Sequence, residues 1–188
     1  MNTQDVASTH DRRILIGVLV IALLIPAVGV FYMIGGRRGI GCRKSLPLAT
    51  AIALESAINN IYTEYGKLPN VGSSVTTNSP EGLKLLNILL GRDDKSDDAL
   101  NSRAIKFLSV KEGKNHKNGL IYSADGNSVE GLFDPWGSSY TVILDTENKE
   151  HLRFTIGSKS IDLKDRRSAA FSPGPDKQVG TRDDVSTW

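Results

Sequence analysis

The chain has 188 residues, of which 39% are hydrophobic and 23% are charged. This length accommodates one apolar segment and one compact domain, and it excludes a second large domain. The 23 basic and 21 acidic residues give a net charge of only +2, which argues against a nucleic-acid-binding surface. The single cysteine, Cys42, excludes an intramolecular disulfide framework and a cysteine-rich zinc site.

Residues 14–34 form an apolar segment without a charged side chain. A helix of about 21 residues crosses a hydrocarbon core of about 30 Å, so we predict a transmembrane helix here. A short tail over residues 1–13 precedes it, and a Gly- and Arg-rich joint over residues 35–45 follows. A cleaved secretory signal is the alternative, but the segment is too long and no Ala-x-Ala-like site follows it. More basic residues follow the segment than precede it, so flanking charge alone would place the following domain in the cytoplasm.

Residues 46–188 are predicted to form a globular domain that begins with two helices. The first helix carries apolar side chains at helical spacing and ends at Gly66. Its stripe consists of Leu54, Ile58, Ile61 and Tyr65. The simplest interpretation is a helix that packs on its own domain, and the alternative is a helix that also packs against neighbouring subunits. The second helix is indicated by Ser79 as N-cap and Pro80 at its first position, and it ends before Gly91.

Beyond Gly119 the apolar period changes from helical to alternating, which predicts three short antiparallel strands. They cover Tyr140–Leu144, Leu152–Ile156 and Ala169–Phe171. Helices followed by strands are typical of an α+β domain. The sequence Asp134-Pro135-Trp136-Gly137 fits a type I turn before the first of these strands, because Asp, Pro and Gly hold their favoured turn positions.

The C-terminal segment, Ser172–Trp188, has few apolar residues and neither a helical nor a strand period. It contains Asp176, Asp183 and Asp184, with glycines that allow the chain to bend around a centre. Calcium prefers oxygen ligands in a flexible loop, and a divalent cation would offset the repulsion between the carboxylates. A solvated, frayed terminus is the alternative. If the loop is ordered, Trp188 is predicted to hold its end to the domain.

Taken together, these segments resemble the major pseudopilins of type II secretion systems, a type IV pilin-like family also called general secretion pathway protein G. The resemblance covers residues 46–188 and lies in four segments in the same order. They are ALESAINNIYTEYGKLPN, EGLKLL, DPWGSSY and FSPGPD…DDVSTW. The family implies a pilin-like α+β fold, in which an N-terminal transmembrane helix and a stem helix pack on a small antiparallel sheet with a C-terminal metal-binding loop. It also implies a single-pass protein of the bacterial inner membrane with its globular domain in the periplasm.

Family members bind calcium in the final loop through two aspartates eight residues apart and nearby main-chain carbonyls. Asp176 and Asp184 have this separation, and the carbonyl of Pro173 matches the place three residues before the first aspartate. The resemblance therefore implies a Ca²⁺ site formed by Asp176, Asp184 and Pro173, with Asp183 one step out of register. It implies partners of two kinds, the membrane and other copies or other pseudopilins, contacted through the membrane and stem helices.

The N-terminus departs from the family, because no glutamate lies within residues 14–34 and no prepilin-type cleavage site precedes them. The sequence therefore supports two functions. The first is a membrane-anchored, calcium-stabilised structural subunit of a type II secretion pseudopilus or related pilus-like filament. The second is an anchored pseudopilin-like domain that stays unassembled and binds a partner or matrix. Because the sequence lacks HExxH, GxSxG and phosphate-binding glycine motifs, we expect neither an enzyme nor a small-molecule substrate.

Overall fold

A computed structural model describes residues 44–93 and 99–188 of the chain. The first helix, α1, covers residues 44–65 and buries three of the four residues of the predicted apolar stripe, while Tyr65 is partly buried. Leu54, Ile58 and Ile61 are completely buried. The helix ends where Gly66 adopts a φ of +67° and its N–H donates to the carbonyl of Tyr62 at 2.8 Å, so the last turn closes in a left-handed conformation that suits glycine.

The strands of the described residues form three separate antiparallel sheets. Their bounds are β1 Ser74–Thr76, β2 Gly119–Tyr122, β3 Val129–Phe133, β4 Thr141–Leu144, β5 His151–Ile156, β6 Lys159–Lys164, β7 Ser168–Ser172 and β8 Val185–Ser186. The largest sheet has the order β1-β4-β7-β8, and the hairpins β2–β3 and β5–β6 form the other two. The three predicted strands are confirmed as β4, β5 and β7, but β5 pairs with β6 outside the sheet that contains β4 and β7.

The second helix, α2, covers Pro80–Leu89, and its predicted N-cap is confirmed. The Ser79 hydroxyl accepts a hydrogen bond from the N–H of Gly82 at 3.1 Å, which satisfies one of the free donors of the first turn. Gly82 also lets the helix approach the end of β1, since a Cβ there would lie 1.8 Å from the carbonyl oxygen of Thr76. This contact fixes α2 against the sheet.

Alternation along β4 divides the apolar side chains between two cores. Val142 and Leu144 face the main core, which they share with the buried faces of α1 and α2. Ile143 faces the opposite way and packs in a smaller cluster with Leu152 of the β5–β6 hairpin. Because successive side chains of a strand point to opposite faces, one four-residue strand supports both cores.

The predicted pilin-like architecture is wrong. It placed a transmembrane helix and a stem helix on one small sheet, whereas the described residues form two helices and several small antiparallel sheets. Strands β1 and β8 are too short to show a two-residue period, and the β5–β6 hairpin closes on its immediate neighbour in sequence. The four-stranded sheet β1-β4-β7-β8 and the separate hairpins β2–β3 and β5–β6 replace the single sheet that the resemblance implied.

The predicted transmembrane segment, residues 14–34, lies outside the described residues. Within residues 44–93 and 99–188, neither helix is long and apolar enough to cross a membrane. Helix α1 carries Glu55 and Glu64, and α2 spans only Pro80–Leu89. The predictions of a transmembrane, periplasmic pseudopilin and of a single-pass inner-membrane location are contradicted by this finding.

Candidate functional site

The C-terminal loop, defined here as residues 173–184, connects β7 to β8. The two strands pair Phe171 with Ser186 and Ser172 with Val185. The same register, continued into the loop, places Pro173 opposite Asp184. Glycine at the next position allows this close approach, because a Cβ on Gly174 would lie 2.1 Å from the carbonyl oxygen of Asp183. The neck of the loop, defined as residues 173–174 and 183–184, is therefore closed, and Pro173 lies opposite Asp184.

Asp184 carries an unusual carboxylate at this neck. One oxygen, Oδ2, accepts a hydrogen bond from the N–H of Gly180 at 2.8 Å. The other, Oδ1, is buried and has no hydrogen-bond partner among the residues that the structure describes. A buried oxygen without a partner is rare in proteins and is usually bound by an ordered water or an ion. The Oδ1 atom of Asp184 is therefore available to an ordered water or to an ion.

Asp176 lies farther along the loop and is exposed to solvent. Hydrogen bonds from the Gln178 N–H and from the Thr181 side chain lower its pKa below the ordinary value, so its carboxylate is ionised at neutral pH. The Gln178 N–H lies 3.0 Å from Oδ1. No hydrogen bond within the described residues joins Asp176 to Asp184. The structure thus brings Pro173 and Asp184 together, and it places Asp176 opposite Thr181 on the outer part of the loop.

Side chains alone do not make a metal centre here. Among the described residues, no group of three or more His, Cys, Asp or Glu side chains is placed to hold a metal ion. A cation in the C-terminal loop would therefore need main-chain carbonyls beside the carboxylates of Asp176 and Asp184. Calcium accepts such mixed oxygen ligands, including main-chain carbonyls and water.

The turn at Asp134 is hydrogen-bonded to the chain that leads into the neck of the loop. Its carbonyl accepts from the Gly137 N–H at 3.2 Å, which confirms the predicted turn. The Asp134 side chain is completely buried, and Oδ1 accepts from the N–H groups of Trp136 and Ser138, both at 2.8 Å. Its second oxygen accepts from the hydroxyl of Ser172. Because that hydroxyl also accepts from the Gly174 N–H at 3.1 Å, the turn is connected directly to the loop.

The hydrogen bond between Asp134 and Ser172 was not predicted from the sequence, which indicated only a turn at Asp134. An aspartate at the first position of a turn uses one carboxylate oxygen within the turn and leaves the other free for a hydrogen bond elsewhere. This free oxygen is the only local feature of the sequence that indicates a second partner for Asp134. Ser172 lies 38 residues further along the chain. The contact therefore depends on how β7 pairs with β4, which the local pattern does not reveal.

The end of the chain is also held in place, as the sequence predicts for Trp188. Its ring packs edge-to-face on Phe154 at 5.3 Å and on Phe171 at 5.9 Å between centroids. The Arg166 guanidinium donates to the Thr187 carbonyl at 2.7 Å and contacts Glu55 of α1 at 3.1 Å. A frayed terminus, the alternative reading of the sequence, does not describe this segment.

Each of the described histidines lies close to a carboxylate. His116 lies 3.2 Å from Glu130, and its side chain is 62% exposed. His151 lies 2.6 Å from Asp162, whose other oxygen is 3.2 Å from Arg153. Hydrogen bonding to His151 lowers the pKa of Asp162 below its ordinary value. His116 lies in a loop and Glu130 on β3, whereas His151 and Asp162 lie on the β5–β6 hairpin. Contacts of this kind at the protein surface contribute little energy.

Comparisons of the chain with protein-family models, with curated proteins and with solved structures find no match.

Proposed function

We propose that this chain is a structural, non-enzymatic subunit of a pilus-like filament related to the type II secretion pseudopilus, and that calcium stabilises its C-terminal loop. The carboxylates of Asp176 and Asp184 and the carbonyl of Pro173 would hold the ion. Calcium would offset the repulsion between these carboxylates and so stabilise the closed loop. The proposal rests on the four sequence segments that resemble pseudopilins and on the geometry of this loop.

One observation carries the metal part of the proposal. The buried Oδ1 atom of Asp184 lacks a partner among the described residues, although Oδ2 of the same carboxylate is hydrogen-bonded. Burying a charged oxygen without a partner is costly, and a bound cation removes that cost. Calcium suits the site better than magnesium, because magnesium requires near-ideal octahedral geometry and a loop of mixed carbonyl and carboxylate oxygens is more irregular.

The exposed surface of α1 supports the proposal that copies of the chain assemble. Its exposed side includes two large apolar side chains, Leu46 at 40% and Ile52 at 48% exposure. Ala49, Ser56 and Asn60 share that side and are uncharged. Helices can approach closely along small, uncharged side chains, so a second copy of the chain could pack here.

Crosslinking of the full-length chain tests the function. We expect a ladder of homo-oligomers in calcium and a weaker ladder in chelator, because an ordered loop stabilises the subunit that assembles. Ile52→Asp should abolish the ladder by placing a charge in the contact. Thr155→Asp, which adds the same charge at an exposed position of β5, is the matched control and should retain it.

A single monomer band for the unmutated chain under all conditions would contradict assembly. That result would favour the second function, an unassembled domain that binds a different protein. A ladder unaffected by Ile52→Asp would show that copies meet through another surface than α1.

A further inference from the structure

The Lys44 side chain reaches from the first described residue of α1 to the C-terminal loop. Its ammonium group donates to the carbonyl of Arg182 at 3.0 Å and lies 3.6 Å from Oδ1 of Asp183. The hydrogen bond joins residues 138 positions apart in the sequence. Lys44 is thus in contact with the two residues that immediately precede the candidate ligand Asp184.

The charge of the C-terminal loop explains why a lysine binds there. Residues 173–184 contain three aspartates, one lysine and one arginine, so the loop alone carries a net charge of −1. The Lys44 ammonium neutralises this charge. It does so with a main-chain carbonyl and a carboxylate, which are the same types of oxygen that calcium binds.

We propose that Lys44 is a built-in competitor of the divalent cation. The inference rests on the proposed calcium site and adds a means of regulating it. A docked ammonium repels the incoming ion and occupies oxygens beside the ligands, so calcium binds more weakly while Lys44 is docked. Because coupling between two binding events is reciprocal, calcium weakens the Lys44 contact to the same degree. Calcium occupancy and the docking of the Lys44 side chain on the loop therefore depend on each other.

The test is a titration of calcium chloride into the full-length chain by isothermal calorimetry, at low salt and again at high salt. Lys44→Met removes the charge and keeps most of the side-chain length, and Lys44→Gln repeats the removal with a polar side chain. Lys44→Arg keeps the charge. Lys67→Met is the matched control, because Lys67 is an exposed lysine just beyond the end of α1. Circular dichroism confirms that each variant is folded.

We expect Lys44→Met and Lys44→Gln to bind calcium about fivefold to tenfold more tightly at low salt, as follows from removing one like charge close to the ion. The calcium affinities of Lys44→Arg and Lys67→Met should stay within about twofold of that of the unmutated chain. The difference should shrink at high salt, because salt screens the repulsion between exposed charges.

Two outcomes would overturn the inference, and they differ in meaning. Equal or weaker calcium binding by Lys44→Met, beside clear binding by the unmutated chain, would refute the competition and leave the calcium site intact. The absence of calcium binding by the unmutated chain and by every Lys44 variant would refute the calcium site and the competition together.

Discussion

Asp134→Ala is expected to lower the free energy of unfolding by about 3 kcal/mol. The Asp134 carboxylate is completely buried, so water cannot replace the hydrogen bonds that it accepts. Its removal leaves the N–H groups of Trp136 and Ser138 and the hydroxyl of Ser172 without their shared acceptor. The neck of the C-terminal loop then loses its support, and any calcium affinity of the loop should fall with it.

Urea denaturation of the full-length chain, followed by tryptophan fluorescence, measures this effect. Asp134→Asn should cost less, because the amide oxygen can still accept from the main chain. Asp125→Ala is the matched control: Asp125 is exposed and its hydrogen bonds lie within one hairpin turn, so its replacement should cost less than about 1 kcal/mol. Equal costs for Asp134→Ala and Asp125→Ala would show that the buried carboxylate does not support the fold.

Gly174→Ala is expected to prevent the loop from closing. The added Cβ would lie 2.1 Å from the carbonyl oxygen of Asp183, which is main chain and has no rotamer to move away. The φ of +75° adds strain for any residue with a Cβ. We expect a loss of stability of about 3 kcal/mol from the clash and the strain together, and a loss of calcium-dependent stabilisation.

Gly126→Ala separates the loss of stability caused by backbone strain from the loss caused by the clash. Gly126 has a similar φ of +70°, but a Cβ there meets nothing within 4 Å, so its replacement should cost only the backbone strain of about 1 kcal/mol. Thermal melting of both variants, with and without calcium, makes the comparison. If the two alanine variants melt alike and both respond to calcium, the neck of the loop is not closed as described.

The elements that the sequence predicted correctly are those whose signal is local. The stripe of Leu54, Ile58 and Ile61 in α1 and the Ser79 cap of α2 depend on residues within a few positions of one another. The turn at Asp134 is of the same kind. Helical spacing, capping and turn chemistry act over such short distances, so the sequence is sufficient to identify them.

The arrangement of the strands could not be predicted in this way. Strand β8 is only Val185–Ser186, too short to carry a period, and it forms only by pairing with β7. The alternating pattern of β5 does not reveal that its partner is β6 rather than β4. The resemblance to pseudopilins led to the single sheet, which the described residues contradict. The length and apolar composition of residues 14–34 led to the predicted transmembrane helix, and neither helix of the described residues could cross a membrane.

The role of Asp176, Asp184 and Pro173 as metal ligands stays a prediction. Spacing and resemblance selected Asp176, Asp184 and Pro173, and the register of β7 and β8, continued by one residue, places Pro173 opposite Asp184. Asp134 and Lys44 could not be predicted, because each contacts the loop or its base across a long stretch of sequence. Such contacts exist only after the sheet and α1 have come together.

The most direct test of the central claim is the melting temperature of the full-length chain in calcium and in chelator, beside Asp176→Ala and Asp184→Ala. An ion that binds only the folded state must raise the melting temperature. We expect calcium to raise it by several degrees for the unmutated chain, magnesium to raise it less, and neither alanine variant to respond to calcium. Identical melting curves of the unmutated chain in calcium and in chelator would contradict the account.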